Sequence, residues 1–195
     1  MTAAQKRLII PIVSLGLGFV LLIAAAWVTV MSPSRDSGTA AVGGPFALIG
    51  HEGQVVSHRD FAGRPFLVFF GFTNCPDVCP TKLFEISEIL RAIGPEARIS
   101  ALFITVDPER DTPERLKDYL SHCDDRIVGL TGSPAAIEQV LKAYRAYSRK
   151  VPTENDYTMD HTALVYLMNR RGEFVSGFNV ARSPQEAAAE LKRHL

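Results

Sequence analysis

Two cysteines separated by three residues are the part of this 195-residue chain best suited to chemistry. They lie in the segment FLVFFGFTNCPDVCP, residues 66–80, as Cys75 and Cys79. An uninterrupted apolar run such as FLVFF is typical of a strand buried on both faces, and the later residues Leu83 and Ile86 begin a helical spacing. The sequence therefore predicts that both thiols lie at the turn from a central strand into a helix.

This position predicts thiols that react or bind a metal. Unpaired backbone N–H groups in the first turn of a helix favour a thiolate, which is both the nucleophile and the metal-binding form of cysteine. We therefore expect exposed thiols with a lowered pKa. The Cys-x-x-x-Cys spacing lets both sulfurs point at one external atom. A redox pair, a soft-metal site and a structural disulfide or inert buried pair are all compatible with these residues.

A histidine supplied by the fold would distinguish a metal site from a redox pair. The chain has five histidines, and His161 is the best placed because it directly precedes an apolar strand predicted over residues 162–168. We expect a loop of residues 157–160 to present it. Asp160 is either the carboxylate that orients the imidazole or a turn residue. Met159 is a weaker candidate as a soft ligand, since methionine commonly fills space.

Three further polar residues attract attention but favour structural roles. Asp107 and Asp111 follow a predicted strand, where α/β sheets tend to form sites, and their spacing favours turn formation and helix capping over metal binding. Cys123 lies beside His122, but adjacent residues chelate one ion poorly, so we interpret it as a small buried apolar residue.

Strands and helices alternate along the chain. Apolar runs predict strands at residues 54–56, 66–70, 99–106, 127–130 and 162–168, with a hairpin partner at 173–176. Helices are predicted from Asp77 to about Ile93 and after the capping residues Thr112, Ser133 and Ser183, each followed by proline. This order predicts an α/β fold, a mixed sheet flanked by helices of the thioredoxin type.

The amino-terminal segment predicts a membrane tether. Lys6 and Arg7 precede a charge-free run, residues 8–31, which is long enough as a helix to cross the roughly 30 Å hydrocarbon core of a bilayer. We expect a cytoplasmic tail at 1–7, a transmembrane anchor at 8–31, a flexible linker at 32–45 and one domain at 46–195. A cleaved signal peptide is the alternative. Both place the domain on the periplasmic side of the inner (cytoplasmic) membrane.

The charge balance bears on the class of partner. Lys plus Arg and Asp plus Glu each number 21, and no basic run is present. A nucleic-acid partner would require a basic patch, so none is expected.

Three motifs in order resemble the Sco/SenC family of membrane-tethered copper-binding proteins with a thioredoxin-like fold. They are NCPDVCP, then VDPERDTP at residues 106–113, then YTMDHTALVYLMN at 157–169. The resemblance implies that Cys75, Cys79 and His161 bind copper. It also implies a role in delivering copper to the CuA centre of cytochrome c oxidase, or in keeping the cysteines of that centre reduced. The partners implied are the oxidase subunit carrying that site and other copper chaperones or thiol reductants.

The chemistry of these three side chains suits copper and leaves one rival open. Two thiolates suit Cu(I), and an added imidazole and oxygen ligand accommodate Cu(II). Zinc takes the same donors, but a closed structural zinc site normally has four protein ligands. The rival is a thiol–disulfide oxidoreductase in which Cys75 and Cys79 form the catalytic redox pair and His161 is not a ligand.

Overall fold

The computed structural model describes Trp27 and residues 42–195 of the chain. Apart from Trp27 and residues 42–45, the predicted tail, membrane anchor and linker lie outside the described residues. None of the helices described is both long and apolar enough to cross a bilayer. Residues 42–195 lie within one compact unit.

Across residues 42–195, nine strands form one large sheet and one hairpin. The strands are β1 (Ala47–Gly50), β2 (Val55–Ser57), β3 (Phe66–Gly71), β4 (Ser100–Thr105), β5 (Ile127–Thr131), β6 (Ser148–Pro152), β7 (Tyr157–His161), β8 (Val165–Met168) and β9 (Phe174–Gly177). Seven of them form a mixed sheet in the order β2-β1-β5-β4-β3-β8-β9, and β6 and β7 form a separate antiparallel pair.

The central strands place the candidate residues together at the carboxyl-terminal end of β3 and β4. β3 and β4 are parallel and buried throughout, with Gly71 opposite Thr105, so the segments that follow them leave the sheet side by side. β8 runs antiparallel to β3, with Val165 opposite Phe69. The start of β8 therefore lies near the carboxyl-terminal end of β3. This pairing brings His161, which precedes β8, to the end of the sheet where the cysteines lie.

In the same part of the chain, four α-helices accompany the sheet: α1 (Val78–Ile93), α2 (Pro113–Leu120), α3 (Pro134–Tyr144) and α4 (Pro184–Lys192). The last three begin as predicted, because the hydroxyls of Thr112, Ser133 and Ser183 each accept a hydrogen bond from a first-turn backbone N–H. Their apolar faces contribute to a single core built around β3 and β4. The predicted mixed sheet with flanking helices is confirmed.

Two local predictions are wrong. Residues 157–160 are strand β7, paired with β6, and do not form a loop. The strand predicted from residue 162 begins only at Val165, where pairing with β3 starts. The hairpin was missed because β6, with the sequence SRKVP, shows no apolar alternation, and its strands are defined by backbone hydrogen bonds to each other.

Candidate metal centre

Cys79 lies in the first turn of α1, packed beneath the end of β3. Its side chain is fully buried. A Cβ atom on Gly71 would stand 2.8 Å from the Cys79 sulfur and 2.5 Å from the Phe103 ring, so the sulfur occupies space that only glycine leaves free. Burial raises the pKa of the Cys79 thiol. The expected lowering is wrong for this residue, because removing a thiolate from water outweighs the favourable N–H groups of the helix start.

Cys75 differs from Cys79 in exposure and contacts. It is partly exposed and lies in the turn between β3 and α1. Its sulfur is 3.4 Å from the backbone nitrogen of Cys79, whose N–H donates to it. Both cysteines are free thiols, so a structural disulfide is not present. The pair therefore combines one accessible sulfur with one enclosed sulfur.

His161, the last residue of β7, reaches the enclosed sulfur. Its Nε2 atom lies 3.9 Å from the Cys79 Sγ atom, although the two residues are 82 positions apart in the sequence. The fold therefore places this imidazole beside Cys79. The Phe72 ring stands edge-on to the imidazole, with 5.7 Å between ring centroids, and Phe69 lies 6.5 Å away. Two aromatic rings thus border the imidazole.

A backbone carbonyl orients the ring of His161. The Nδ1 atom is 3.1 Å from the carbonyl oxygen of Thr162, which can only accept a hydrogen bond. Nδ1 therefore carries the hydrogen, and the lone pair of Nε2 faces the Cys79 sulfur. Asp160 does not perform this role: its exposed carboxylate lies 3.7 Å from Arg149. Met159 is buried in the core.

Asp111 is anchored to the cysteine loop and is fully buried. One carboxylate oxygen accepts a hydrogen bond from the Thr73 hydroxyl at 2.6 Å. The other accepts from the Thr73 backbone N–H at 3.0 Å and from the Thr105 hydroxyl at 2.6 Å. These donors account for both oxygens, so Asp111 fastens the loop and is not available as a metal ligand. The sequence indicated only a turn or capping residue here.

Asp107 performs the matching role for the hairpin. It is buried, accepts a hydrogen bond from the Tyr157 hydroxyl at 2.9 Å and pairs with the guanidinium of Arg110. Arg110 also donates to Asp156 and to the Tyr157 carbonyl, each at 3.0 Å. The motif DPERDTP was the only sequence signal for this cluster. It gave no indication of partners 38 and 50 residues away.

The remaining candidates lie apart from this centre. His51 accepts from the Gly129 N–H at 3.0 Å, and His58 contacts the backbone of Phe46. Cys123 is half-buried against the core, close to the role expected for it. Over residues 42–195 no three His, Cys, Asp or Glu side chains are arranged to hold a metal ion as they stand. Cys79 and His161 already lie close together, whereas the Cys75 sulfur accepts a hydrogen bond from the Cys79 backbone N–H.

A mixed sheet with a cysteine-bearing turn after its central strand, and an imidazole brought against that turn, defines a thioredoxin-like protein with a thiol–imidazole site. Comparison with known families gives the same placement. The profile of the SCO1/SenC family matches residues 34–195, and the chain belongs to this family.

Individual relatives agree with the family match. The human mitochondrial SCO1 homolog is 37% identical over 166 residues, which are 83% of this chain and 55% of that protein. The chain thus spans little more than half the length of this relative. The copper-bound structure of Bradyrhizobium japonicum ScoI is 58% identical, with a TM-score of 0.77, and the match covers 80% of this chain and all of that one. Copper-bound ScoI of Arabidopsis thaliana is 34% identical, with a TM-score of 0.73, over 80% of this chain and all of that one.

Proposed function

We propose that this chain is a membrane-tethered copper-binding protein that uses Cys75, Cys79 and His161 to hold copper. Its role is to deliver copper to the CuA site of cytochrome c oxidase or to prepare the thiols of that site. One observation carries the proposal: the Nε2 atom of His161 lies 3.9 Å from the Cys79 sulfur.

The distance between these two atoms suits a shared metal ion. Metal–sulfur bonds of about 2.3 Å and metal–nitrogen bonds of about 2.0 Å, at angles of about 109–120°, place sulfur and nitrogen about 3.5–3.7 Å apart. The observed separation is only slightly longer. A small movement of the two side chains is sufficient to admit an ion between them.

Cys75 completes the donor set by turning its side chain. Its sulfur now accepts the N–H of Cys79, and rotation about the Cα–Cβ bond redirects the sulfur toward the ion. Two thiolates and one imidazole suit copper in either oxidation state. Because the thiols must lose their protons, binding releases protons and is favoured by reduced cysteines.

The relatives supply independent support for copper as the cargo. A protein 58% identical to this chain was solved with copper bound, and a second, 34% identical, was also solved with copper bound. The tether is supported by the charge-free run at residues 8–31, which would hold the domain at the periplasmic face of the inner membrane. An oxidase subunit with its CuA site on that face is the partner that fits both inferences.

Metal analysis of the full chain tests this proposal. We expect the reduced chain in detergent to bind one Cu(I) per molecule in competition with a chelator. His161→Ala should weaken the binding by at least tenfold, because one of three donors is lost. His122→Ala is the matched control, since His122 is exposed and is not one of the three proposed ligands. Absence of stoichiometric copper in the reduced wild-type chain refutes the proposal.

A second function, thiol–disulfide exchange, is favoured by the unequal exposure of the cysteines. The partly exposed Cys75 can attack a partner's disulfide, and the buried Cys79 can then displace the partner's sulfur and form the internal disulfide. This reaction does not require His161 as a ligand. Trapping a mixed disulfide with Cys79→Ser, together with full cellular activity of His161→Ala, would favour exchange over copper delivery.

A further inference from the structure

The turn at residues 105–112 contacts both segments that carry the proposed ligands. Through Asp111 it binds the cysteine loop at Thr73, two residues before Cys75. Through Asp107 it binds the hydroxyl of Tyr157, at the start of the strand that ends in His161. One short segment therefore stands between two parts of the site that are distant in sequence.

The two anchoring carboxylates are connected to each other. The Thr105 hydroxyl donates to Asp111 at 2.6 Å and accepts from the backbone N–H of Asp107 at 2.9 Å. The backbone N–H of Asp111 donates to the Asp107 carbonyl at 3.0 Å. Both side chains are buried, where a lost partner leaves an unsatisfied charged group. These hydrogen bonds hold the turn in one geometry. A shift of the Asp107 carboxylate should therefore also displace the Asp111 carboxylate.

Side-chain contacts, rather than pairing with the large sheet, tie the hairpin to the rest of the domain. β6 and β7 pair only with each other, and an isolated two-stranded hairpin is at best marginally stable. The guanidinium of Arg110 lies 3.8 Å from the centre of the Tyr157 ring and also donates to the Tyr157 carbonyl. Arg110 is itself paired with Asp107, so the turn contacts both the ring and the backbone carbonyl of Tyr157.

We propose that Asp107, Arg110 and Tyr157 are positioning residues that hold His161 against the cysteine loop. The inference rests on the copper-binding function proposed above and deepens it. Loss of the Tyr157–Asp107 hydrogen bond frees the hairpin to move away from the sheet. The imidazole then spends less time near the Cys79 sulfur, and a metal ion must draw it back.

Tyr157→Phe tests this proposal because it removes one hydroxyl and keeps the ring under Arg110. In the reduced full chain we expect about tenfold weaker Cu(I) binding, at the lower end of what outer contacts of a metal site contribute. Tyr147→Phe is the matched control: Tyr147 is half-exposed, and no described residue forms a hydrogen bond with its hydroxyl. Its Cu(I) affinity should stay within about twofold of wild type.

A double-mutant cycle separates positioning of His161 from a general loss of stability. In the His161→Ala background, Tyr157→Phe should change Cu(I) affinity by less than about twofold, since the residue it positions is absent. In the metal-free chain, Tyr157→Phe should also speed amide hydrogen exchange across residues 157–161, whereas Tyr147→Phe should not.

The outcomes distinguish this inference from the proposed function. A wild-type chain without copper affinity defeats the proposed function. If the wild type binds copper, the inference alone is overturned by a wild-type affinity in Tyr157→Phe, by unchanged hairpin exchange, or by an equal loss in the His161→Ala background.

Discussion

Replacement of Gly71 by alanine presses directly on the buried sulfur of the candidate site. The added Cβ would lie 2.8 Å from the Cys79 Sγ atom and 2.5 Å from the Phe103 ring. Ordinary contacts between such atoms are about 3.5–4.0 Å, so the sulfur must retreat by about 1 Å unless the strand itself shifts. The Cys79 and Phe103 side chains are both fully buried in the core. The close packing around them leaves little room for the sulfur to move or for the strand to shift.

Two effects of different size follow from this clash. Overpacking of a filled core costs about 1–3 kcal/mol, so the free energy of unfolding should fall by that amount. Sites of this kind tolerate displacements of about 0.5 Å, so a shift of about 1 Å should weaken Cu(I) binding by tenfold or more. We expect the loss of affinity to persist under conditions in which the variant is fully folded.

Denaturant unfolding and chelator competition on Gly71→Ala measure the two effects separately. Gly132→Ala is the control, because its Cβ would meet only the flexible end of Leu48 at 3.1 Å and the Ala136 side chain at 3.6 Å. That variant should lose less than about 1 kcal/mol and keep its Cu(I) affinity. If Gly71→Ala is destabilised but binds copper as tightly as wild type, the close contact does not control the sulfur and the reasoning is wrong.

Three further predictions concern other parts of the domain. The Arg126 side chain donates to Asp124 at 2.8 Å and lowers the pKa of that carboxyl, so Asp124→Asn should cost about 1–2 kcal/mol at pH 7. The stabilisation is present above the unfolded pKa and is lost as the pH falls through the lower folded pKa, so denaturant midpoints of variant and wild type should converge only when the pH is taken below the ordinary range of an aspartate. Asp111→Ala should destabilise by more than about 3 kcal/mol, measured by thermal unfolding, because three donors lose their acceptor; a loss below 1 kcal/mol would contradict the anchoring role. Cys123→Ser should leave copper stoichiometry at the wild-type value, and a reduced value would place this thiol in the site.

The central sheet was predictable because its signals are local. β3 is a continuous apolar run and β4 is largely apolar, and such runs are typical of strands buried on both faces. The helices after Thr112 and Ser133 could be predicted because each begins with a capping hydroxyl followed by proline. Strand β1 and the hairpin carry no comparable pattern. The charged residues of the hairpin face solvent. Its strands pair through backbone hydrogen bonds, which produce no alternation of apolar and polar residues in the sequence.

The candidate site was predictable in its residue types and less so in its environment. The cysteine pair and His161 could be selected by their positions beside strands, and the structure brings His161 to Cys79. The pKa of Cys79 could not be predicted, since the helix-start argument considers nearby N–H groups and ignores the β-strand packed above the sulfur. The anchoring role of Asp107 was hidden for a similar reason, because its partner Tyr157 is 50 residues further along the chain.

The order of the proposed ligands along the chain bears on how the site forms during synthesis. Both cysteines are made well before His161, and β8, which follows His161, pairs with β3 at the end that carries the cysteines. A chain that ends before residue 161 holds both thiols without this imidazole. The proposed three-donor site would therefore exist only in a chain synthesised past His161.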